Sequence, residues 1–531
     1  MASAGETTTA GPPPEALPAP LHGAGRLTWW RRLPGALAGA VRSLRARAPW
    51  AVHLPLAVVA LWYVVHFGTI AVAMLHSFGQ PAYDMAEPDQ GIWLLSRFHD
   101  PYLTVAGRNL FGDHPSFIYL TLVPVYWLYP HTSSLLVVQV MLQAGAAVPV
   151  YLLAEHLLKR WSLATLFALA YLLNPALQQT ALEQFHVEAF ETFLLAWAIY
   201  WAVRWRPRLF LACLALVLMC KEDAALYTAP LAIWALLRRD RRAGAVGLVA
   251  SAAVAGFDNL FLVPTLIGYA SAHGGRIPFG GFGGLFSTTI NRPGRLVDYL
   301  TSSPRPWYLW QMGASSGLAF LASPEIAAVG VLQLAVNLIS NDAYQQQILY
   351  HYSMPLAAVL TCGSVYAVSR LRTGPRRLAV TVMVAASALW SCVLWGAAPF
   401  SRAPALAPAD NTPRLVADHR LLSQIPPTAS VSAVQELVPA LDHRVSIYMW
   451  PNPFHQVYYG NPRFDGTDWP YSSRVQYLVL PACLSCDQGS APWTATFARI
   501  SHQFRAVART ADYVVYKRLP EPVPAGAGTG R

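Results

Sequence analysis

The sequence predicts a mostly α-helical, polytopic transmembrane bundle of about eleven spans, followed by a small extracytoplasmic α/β domain. Three observations carry this expectation. The chain has 531 residues, of which 54% are hydrophobic and only 12% charged, whereas soluble proteins carry about 25% charged residues. Apolar stretches near membrane-spanning length recur between residues 51 and 398. After about Pro399 they stop, and short β-like runs set off by Pro, Asn, Asp and Gly take their place. The formal charge of +11 is no nucleic-acid signature in such a chain. Most of the excess lies in the N-terminal segment and in short turns, where it orients helices in a bilayer.

Residues 1–50 are expected to form a disordered, basic, cytoplasmic N-terminus. Ala, Pro, Gly and Thr dominate to about residue 25 without apolar periodicity. Arg26, Arg31, Arg32, Arg42, Arg45 and Arg47 follow. The first apolar stretch starts near Ala51, too late and too long for a cleavable signal peptide, so it is expected to stay as an anchor. Spans are expected near 51–74, 134–157, 161–176, 189–203, 208–221, 223–237, 243–267, 307–322, 325–341, 352–369 and 378–398. With the N-terminal arginines inside, the 76–133 loop falls outside. The turns then alternate: Lys159-Arg160 inside, Glu183–Glu188 outside, Arg204–Arg208 inside, Lys221–Asp223 outside, Arg238–Arg242 inside. The 268–306 loop is outside and Arg370–Arg377 inside. The 307–341 pair turns at Ser323-Pro324-Glu325 without a basic residue, so two crossings and a re-entrant hairpin both fit. Residues 115–130 are apolar and aromatic but break the parity if they cross, and are expected to lie in the interface.

In the domain expected over 399–531, Ser430–Ala433, Val445–Met449, Val475–Leu480 and Tyr513–Tyr516 read as strands. Leu415–Ile425 and Val434–Leu441 have helical spacing. Cys213, Cys220, Cys362 and Cys392 lie in apolar segments and read as packing residues. Cys483 and Cys486 form a lone CxxC, which supplies two ligands where a structural zinc needs four. In an exported domain a small disulfide loop is the expectation.

The topology gathers ionisable groups on the outer side. The first loop, through YDMAEPDQGIW and GRNLFGDHPSF, supplies Asp84, Glu87, Asp89, Asp113 and His114. A carboxylate there suits a general base towards an acceptor hydroxyl, and a pair suits a divalent cation that neutralises a phosphate leaving group. A solvated polar loop is the plainer alternative. In ALEQFHVEAFE, Glu183 and His186 are three apart, as are Glu188 and Glu191, so each pair shares a helix face. Glu188 and Glu191 run into an apolar span, where ionisable groups are costly, although helix-end capping also explains them. MCKEDAAL sets Lys221, Glu222 and Asp223 between two apolar stretches with no turn residue. Those charges can pair with one another, or Lys221 can meet a phosphate. His351-Tyr352 opens a later span, where a hydrogen-bonded structural histidine is the plainer reading. Asp258 falls inside an apolar span, at a cost of about 2.5–3.5 kcal/mol at mid-bilayer, and should face the bundle interior. Arg276, Arg292, Arg295 and Arg305 populate the long outer loop and suit lipid phosphates or headgroups.

Several stretches occur in a telling order: YDMAEPDQGIW, GDHPSF with LVPVYWLYP, LLVVQVMLQAGAAVPVYLLAE, YLLNPALQQTALEQFHVEAF, LMCKEDAAL and ILYHYSMPLAA. Nearer the C-terminus come SVSAVQELVPALDHRVSIYMWP and ADYVVY. From about residue 80 onwards this order resembles the bacterial membrane-protein family called domain of unknown function 2079, grouped with the GT-C glycosyltransferases. The family's usual first motif reads more like FDLGIFDQ. Here Met85-Ala86-Glu87-Pro88 replaces its centre, while Asp84 and Asp89 remain. The resemblance implies a GT-C-like bundle whose first outer loop carries the catalytic carboxylate. Such an enzyme takes a sugar from a polyprenyl-phosphate lipid and passes it to a glycan, lipid or protein acceptor at the outer face. Asp84 is then the first catalytic candidate and Asp89 the second. Asp113, His114, His186 and Glu188 would support them or hold a metal, and Lys221, Arg292 and Arg295 would contact the donor phosphate. Glu183, Glu222, Asp223, Asp258, His351 and Tyr352 complete the polar site. No cofactor is fixed, although a divalent cation (Mg or Mn) is compatible, and membrane lipids are the expected surroundings. Two other classes fit the chain. One is a transporter or lipid flippase, favoured by Asp258 but not by the lack of an evident internal repeat. The other is a non-catalytic membrane scaffold or sensor acting through residues 399–531.

Overall fold

Segments that cannot hydrogen-bond to water must satisfy their own backbones, and each of the apolar stretches does so as a helix. The computed structural model describes residues 52–269, 275–409, 411–486 and 491–520. The expected N-terminal disorder and its arginines lie outside them. The eleven expected segments correspond to Leu54–His76, Ser133–Gly145 continuing as Ala147–Leu158, Trp161–Leu172, Glu188–Arg204, Pro207–Leu218, Ala225–Arg238, Arg241–Phe257, Arg305–Ser315, Val331–Ile339, Met354–Ser369 and Gly374–Trp395. Among the described residues, five helical stretches are long and apolar enough to cross a membrane: Leu54–His76, Ser133–Leu158, Arg241–Ile267, His351–Ser369 and Gly374–Trp395. Two prolines mark the irregularities. Pro149 has no N–H for the Gly145 carbonyl, and the helix breaks at Ala146. Pro264 likewise cannot serve Leu260, and the backbone widens into a π turn over Asp258–Leu262.

The stretch His351–Ser369 is 89% buried and forms the centre of the bundle, whereas Arg241–Ile267 is 22% buried and Gly374–Trp395 28%. The peripheral helices turn Val246, Val249, Leu260, Val382, Met383 and Trp390 outwards, a surface made for lipid rather than water. The basic turns gather at one end. His156 lies within reach of the charges on Lys159, Arg204 and Arg239. Glu325 pairs with Arg238 at 3.3 Å and Arg370 at 3.2 Å, and Tyr366 donates its hydroxyl to the same carboxylate at 3.2 Å. The turn between the 307–322 and 325–341 segments therefore sits at the basic end of the bundle.

At the opposite end the first loop is ordered. It comprises helix Ala82–Ser96, a hairpin of β1 (Tyr102–Leu103) and β2 (Arg108–Asn109), and a short helix Leu110–Asp113. A 3-10 turn over Phe117–Leu122 then runs into helix Val123–Leu128, which leaves Trp127 and Leu128 exposed, as an interfacial segment would. The C-terminal part builds a five-stranded mixed sheet from β3 (Val431–Ala433), β4 (Ile447–Met449), β5 (Tyr477–Pro481), β6 (Phe504–Arg509) and β7 (Tyr513–Arg518). The strand order is β4-β3-β5-β7-β6. Strand β3 runs parallel to both neighbours, and β7 runs antiparallel to β5 and β6. The edge strand β6 escapes the sequence pattern because only Phe504 of FRAVAR is buried. Helix Ala491–Ile500 also adds to the expected elements, whereas Val434–Leu441 shrinks to a 3-10 turn at Val438–Ala440. Cys483 and Cys486 are disulfide-bonded.

The sheet is tied to the first loop through main-chain acceptors. Tyr83 donates to the Tyr458 carbonyl at 2.7 Å, Gln90 Nε2 to that of Arg444 at 3.1 Å, and Thr104 Oγ1 to that of Val445 at 3.2 Å. The turn of the β1–β2 hairpin depends on glycine: Gly107 has φ +72°, and a Cβ there would stand 2.5 Å from the Tyr459 ring.

Candidate active site

Four chain segments far apart in sequence meet at the end of the bundle opposite the basic turns. The first is helix Ala82–Ser96. Asp84 and Glu87 are three apart and share a face of it, whereas Asp89, five residues on from Asp84, turns to another. Pro88 sits inside this helix and has no N–H for the Asp84 carbonyl. Asp84 is exposed, and its charge is felt by Glu87 and by His186. Burial, with the neighbouring Asp113 charge, pushes the Glu87 carboxyl well above the usual range. Asp113 in turn accepts from Arg108 at 2.6 Å.

The second and third segments are the Glu183–Glu188 turn and the Lys221–Asp223 turn; the fourth is His351-Tyr352. Glu183 lies 3.3 Å from His186 Nε2 and 3.1 Å from His351 Nδ1. The two imidazoles stack at 3.6 Å. Burial alone would raise the Glu183 carboxyl, but His186 and His351 overcome it and hold the group down at about 2. Burial likewise disfavours a charged His186, yet the Glu183 carboxylate raises it to about 9. Lys221 Nζ donates to Glu188 at 2.9 Å, with both side chains buried. That ammonium also lies 5.9 Å from the Tyr352 ring. His114 Nδ1 stands 2.9 Å from Glu222. Against the opposing effect of burial, this contact raises the imidazole and holds Glu222 down at about 2.

Most of the sequence-expected polar residues thus form one connected charge network, but three placements differ from expectation. Arg292 and Arg295 are exposed, and Arg295 packs over the Phe279 ring. Arg276 is the loop arginine beside the cluster, 5.8 Å from the Tyr352 ring and 3.6 Å from Asp342. The expected metal set of Asp113, His114, His186 and Glu188 does not converge. Asp113 is engaged by Arg108, His114 by Glu222 and Glu188 by Lys221; the ligand atoms that converge belong to Glu183, His186 and His351, within 4.8 Å of one another. Asp89 belongs to a separate buried group. It accepts from Tyr126 and lies 3.1 Å from His443 Nε2, with Asp442 alongside. Sequence reasoning missed Asp442 and His443. The stretch ALDHRVSIYMWP, part of the resemblance, was the available signal.

Asp258, at the π turn, is buried and lines an apolar cavity of about 410 Å³ with Leu214, Leu218, Met219, Val254 and Phe257. Met219 precedes Lys221 by two residues, so the cavity wall runs up to the charge network.

Fold and site together define a multi-pass membrane protein with a dense polar centre at one end of its helical bundle. The chain belongs to the family described as "Predicted membrane protein (DUF2079)", which matches residues 74–471. Its fold is similar to that of ArnT from Cupriavidus metallidurans bound to undecaprenyl phosphate, with TM-score 0.51 and 12% identity over 87% of this chain and 97% of that one. The apo state of the same protein gives TM-score 0.49 and 13% identity, covering 86% and 98%. No curated protein sequence matches. At such identities the likeness concerns the fold alone.

Proposed function

We propose that this chain is an integral-membrane glycosyltransferase that moves a sugar from a polyprenyl-phosphate donor to an acceptor at the outer face. In this reading the N-terminus is cytoplasmic, and residues 399–531 form an extracytoplasmic domain. The observation that carries the reading is the junction of an apolar cavity, ending at Met219 and Asp258, with the charge network that begins at Lys221. A lipid-linked phosphate needs both surfaces side by side. The fold shared with ArnT, solved with undecaprenyl phosphate, supports the same class of donor.

Asp84 is the general base. It takes the proton of the acceptor hydroxyl as that oxygen attacks the anomeric carbon. The bond from this carbon to the phosphate oxygen breaks with its electron pair, and the polyprenyl phosphate leaves. Lys221 and Arg276 offset the charge that develops on it; an ammonium has three donors, of which Glu188 engages one. Arg276 takes the place expected for Arg292 and Arg295. Asp89 is a positioning residue, anchoring the helix that bears Asp84. Glu183, His186 and His351 are the residues that would hold a divalent cation. Glu183 Oε2 is buried without a hydrogen-bond partner, and a two-imidazole, one-carboxylate set fits a borderline transition metal better than Mg²⁺. Bound there, the ion would add positive charge near the phosphate.

The test compares wild type with Asp84→Asn in lipid nanodiscs, following sugar release from polyprenyl-phosphate donors. A loss on the order of 100-fold or more is expected, since a positioned base contributes about that much. Full turnover by the variant removes Asp84 as the base. A wild type that turns over no polyprenyl-phosphate sugar sinks the reaction itself. Asp258 in the cavity wall favours lipid movement as a second reading; transport into vesicles without chemical change, lost in Asp258→Asn, would establish it.

A further inference from the structure

The Asp89 group has no part in the proposed chemistry, and its composition is unusual for a structural contact. Asp89 is 0% exposed and Asp442 1%. Their Oδ2 atoms are both buried without a hydrogen-bond partner. Around them stand one neutral donor, the Tyr126 hydroxyl, and one imidazole, His443, which stacks flat against Trp93. Two carboxyls this close and this dry must share either a proton or a cation between them, and a cation also engages the neighbouring imidazole. Arg444 is next in the chain, but its guanidinium donates to the Leu441, Pro426 and Ala429 carbonyls.

We infer that Asp89, Asp442 and His443 form a binding site for one divalent transition-metal ion, zinc in the first instance. Their ligand atoms lie within 4.8 Å of one another, a span that small side-chain rotations close onto metal bonds of about 2.0–2.2 Å. Two carboxylates and one imidazole suit Zn²⁺ or Mn²⁺, not the soft-ligand metals. An entry path exists. Asp442 and His443 line an open cavity of about 580 Å³, with His76, His131 and His419 on its other walls. Water from that cavity would fill the remaining coordination position. The ion joins residues more than 350 positions apart, clamping the helix that carries Asp84 to the segment leading into β4.

The experiment uses full-length protein without a polyhistidine tag, stripped with a chelator and titrated with Zn²⁺ against a chromophoric competitor. Asp442→Asn, His443→Gln and, for the other cluster, His351→Gln are titrated beside wild type. Wild type and His351→Gln should each take up one tight equivalent in this site. Affinity should fall on the order of 100-fold or more in Asp442→Asn and His443→Gln, and zinc should raise the melting temperature of wild type. No tight zinc binding by wild type, unchanged affinity in Asp442→Asn, or loss only in His351→Gln each overturns the inference. Should either variant fail to fold, Co²⁺ substitution of wild type decides. A ligand-field spectrum of mixed oxygen and nitrogen donors that survives in His351→Gln supports the site, and its absence overturns it. None of these readouts needs turnover, so the site stands or falls apart from the proposed reaction.

Discussion

Replacing Glu183 by Gln keeps the shape of the side chain and removes the carboxylate that His186 and His351 share at 3.3 and 3.1 Å. His186 is raised from 6.5 to about 9. At 1.36 kcal/mol per pKa unit, that shift corresponds to about 3 kcal/mol of folded-state stabilisation. His186 is only 6% exposed, so solvent screening removes little of it. The fall of Glu183 from 4.5 to about 2 describes the same contact from the other partner and is not added. The signs fix the pH window. A group raised in the folded state stabilises fully below its unfolded value, and the contribution of His186 fades as pH rises from about 6.5 through about 9. A group depressed in the folded state stabilises above its unfolded value, and the contribution of Glu183 is lost as pH falls from 4.5 through about 2. Glu183→Gln should therefore cost most, about 3 kcal/mol, between roughly pH 4.5 and 6.5, and progressively less towards pH 10. Unfolding of wild type and variant in nanodiscs, followed from pH 5 to 10, measures the difference. Equal destabilisation at pH 6 and pH 10 would refute the charged contact and leave only lost packing.

Two further outcomes follow from other contacts. Lys221→Met strands the buried Glu188 carboxylate and should cost about 3–5 kcal/mol, whereas combining it with Glu188→Gln should recover most of that loss. A double variant as unstable as the single one would show that the pair is not the source. The Glu325 contacts place the 323–325 turn with the basic turns. Ala322→Cys should then react with an impermeant thiol reagent only in inside-out vesicles, and Arg463→Cys only in right-side-out ones. Labelling of both from one side would contradict the orientation.

What the sequence revealed and what it hid divide along the range of the interactions. Helix positions follow from apolar length, a local property, and every expected segment is helical. Sidedness follows from alternation of basic and acidic turns, and the pairing of Glu325 with Arg238 and Arg370 adds the turn whose composition was silent. The direction in which a side chain points was legible only where the helix itself was. Asp84 and Asp89 rank first and second as candidates in one loop, and the helix that carries both runs through Pro88. Five residues of helical rotation then send the two carboxylates to different partners, Asp89 to His443 and Asp84 towards His186. The arginines show the same limit from the other side. Charge and loop membership point to Arg292 and Arg295 for the phosphate, and the packing of Arg276 against Tyr352 singles out Arg276 instead. Apart from its place in the ALDHRVSIYMWP stretch, Asp442-His443 had no signal, being an ordinary polar dipeptide until the chain brings Asp89 to it. The proposed chemistry rests on that long-range arrangement. A base on one face of the Ala82–Ser96 helix is only as well placed as the contacts that fix the helix's rotation, among them Asp89 with His443 and Tyr126, Gln90 with Arg444, and Tyr83 with Tyr458.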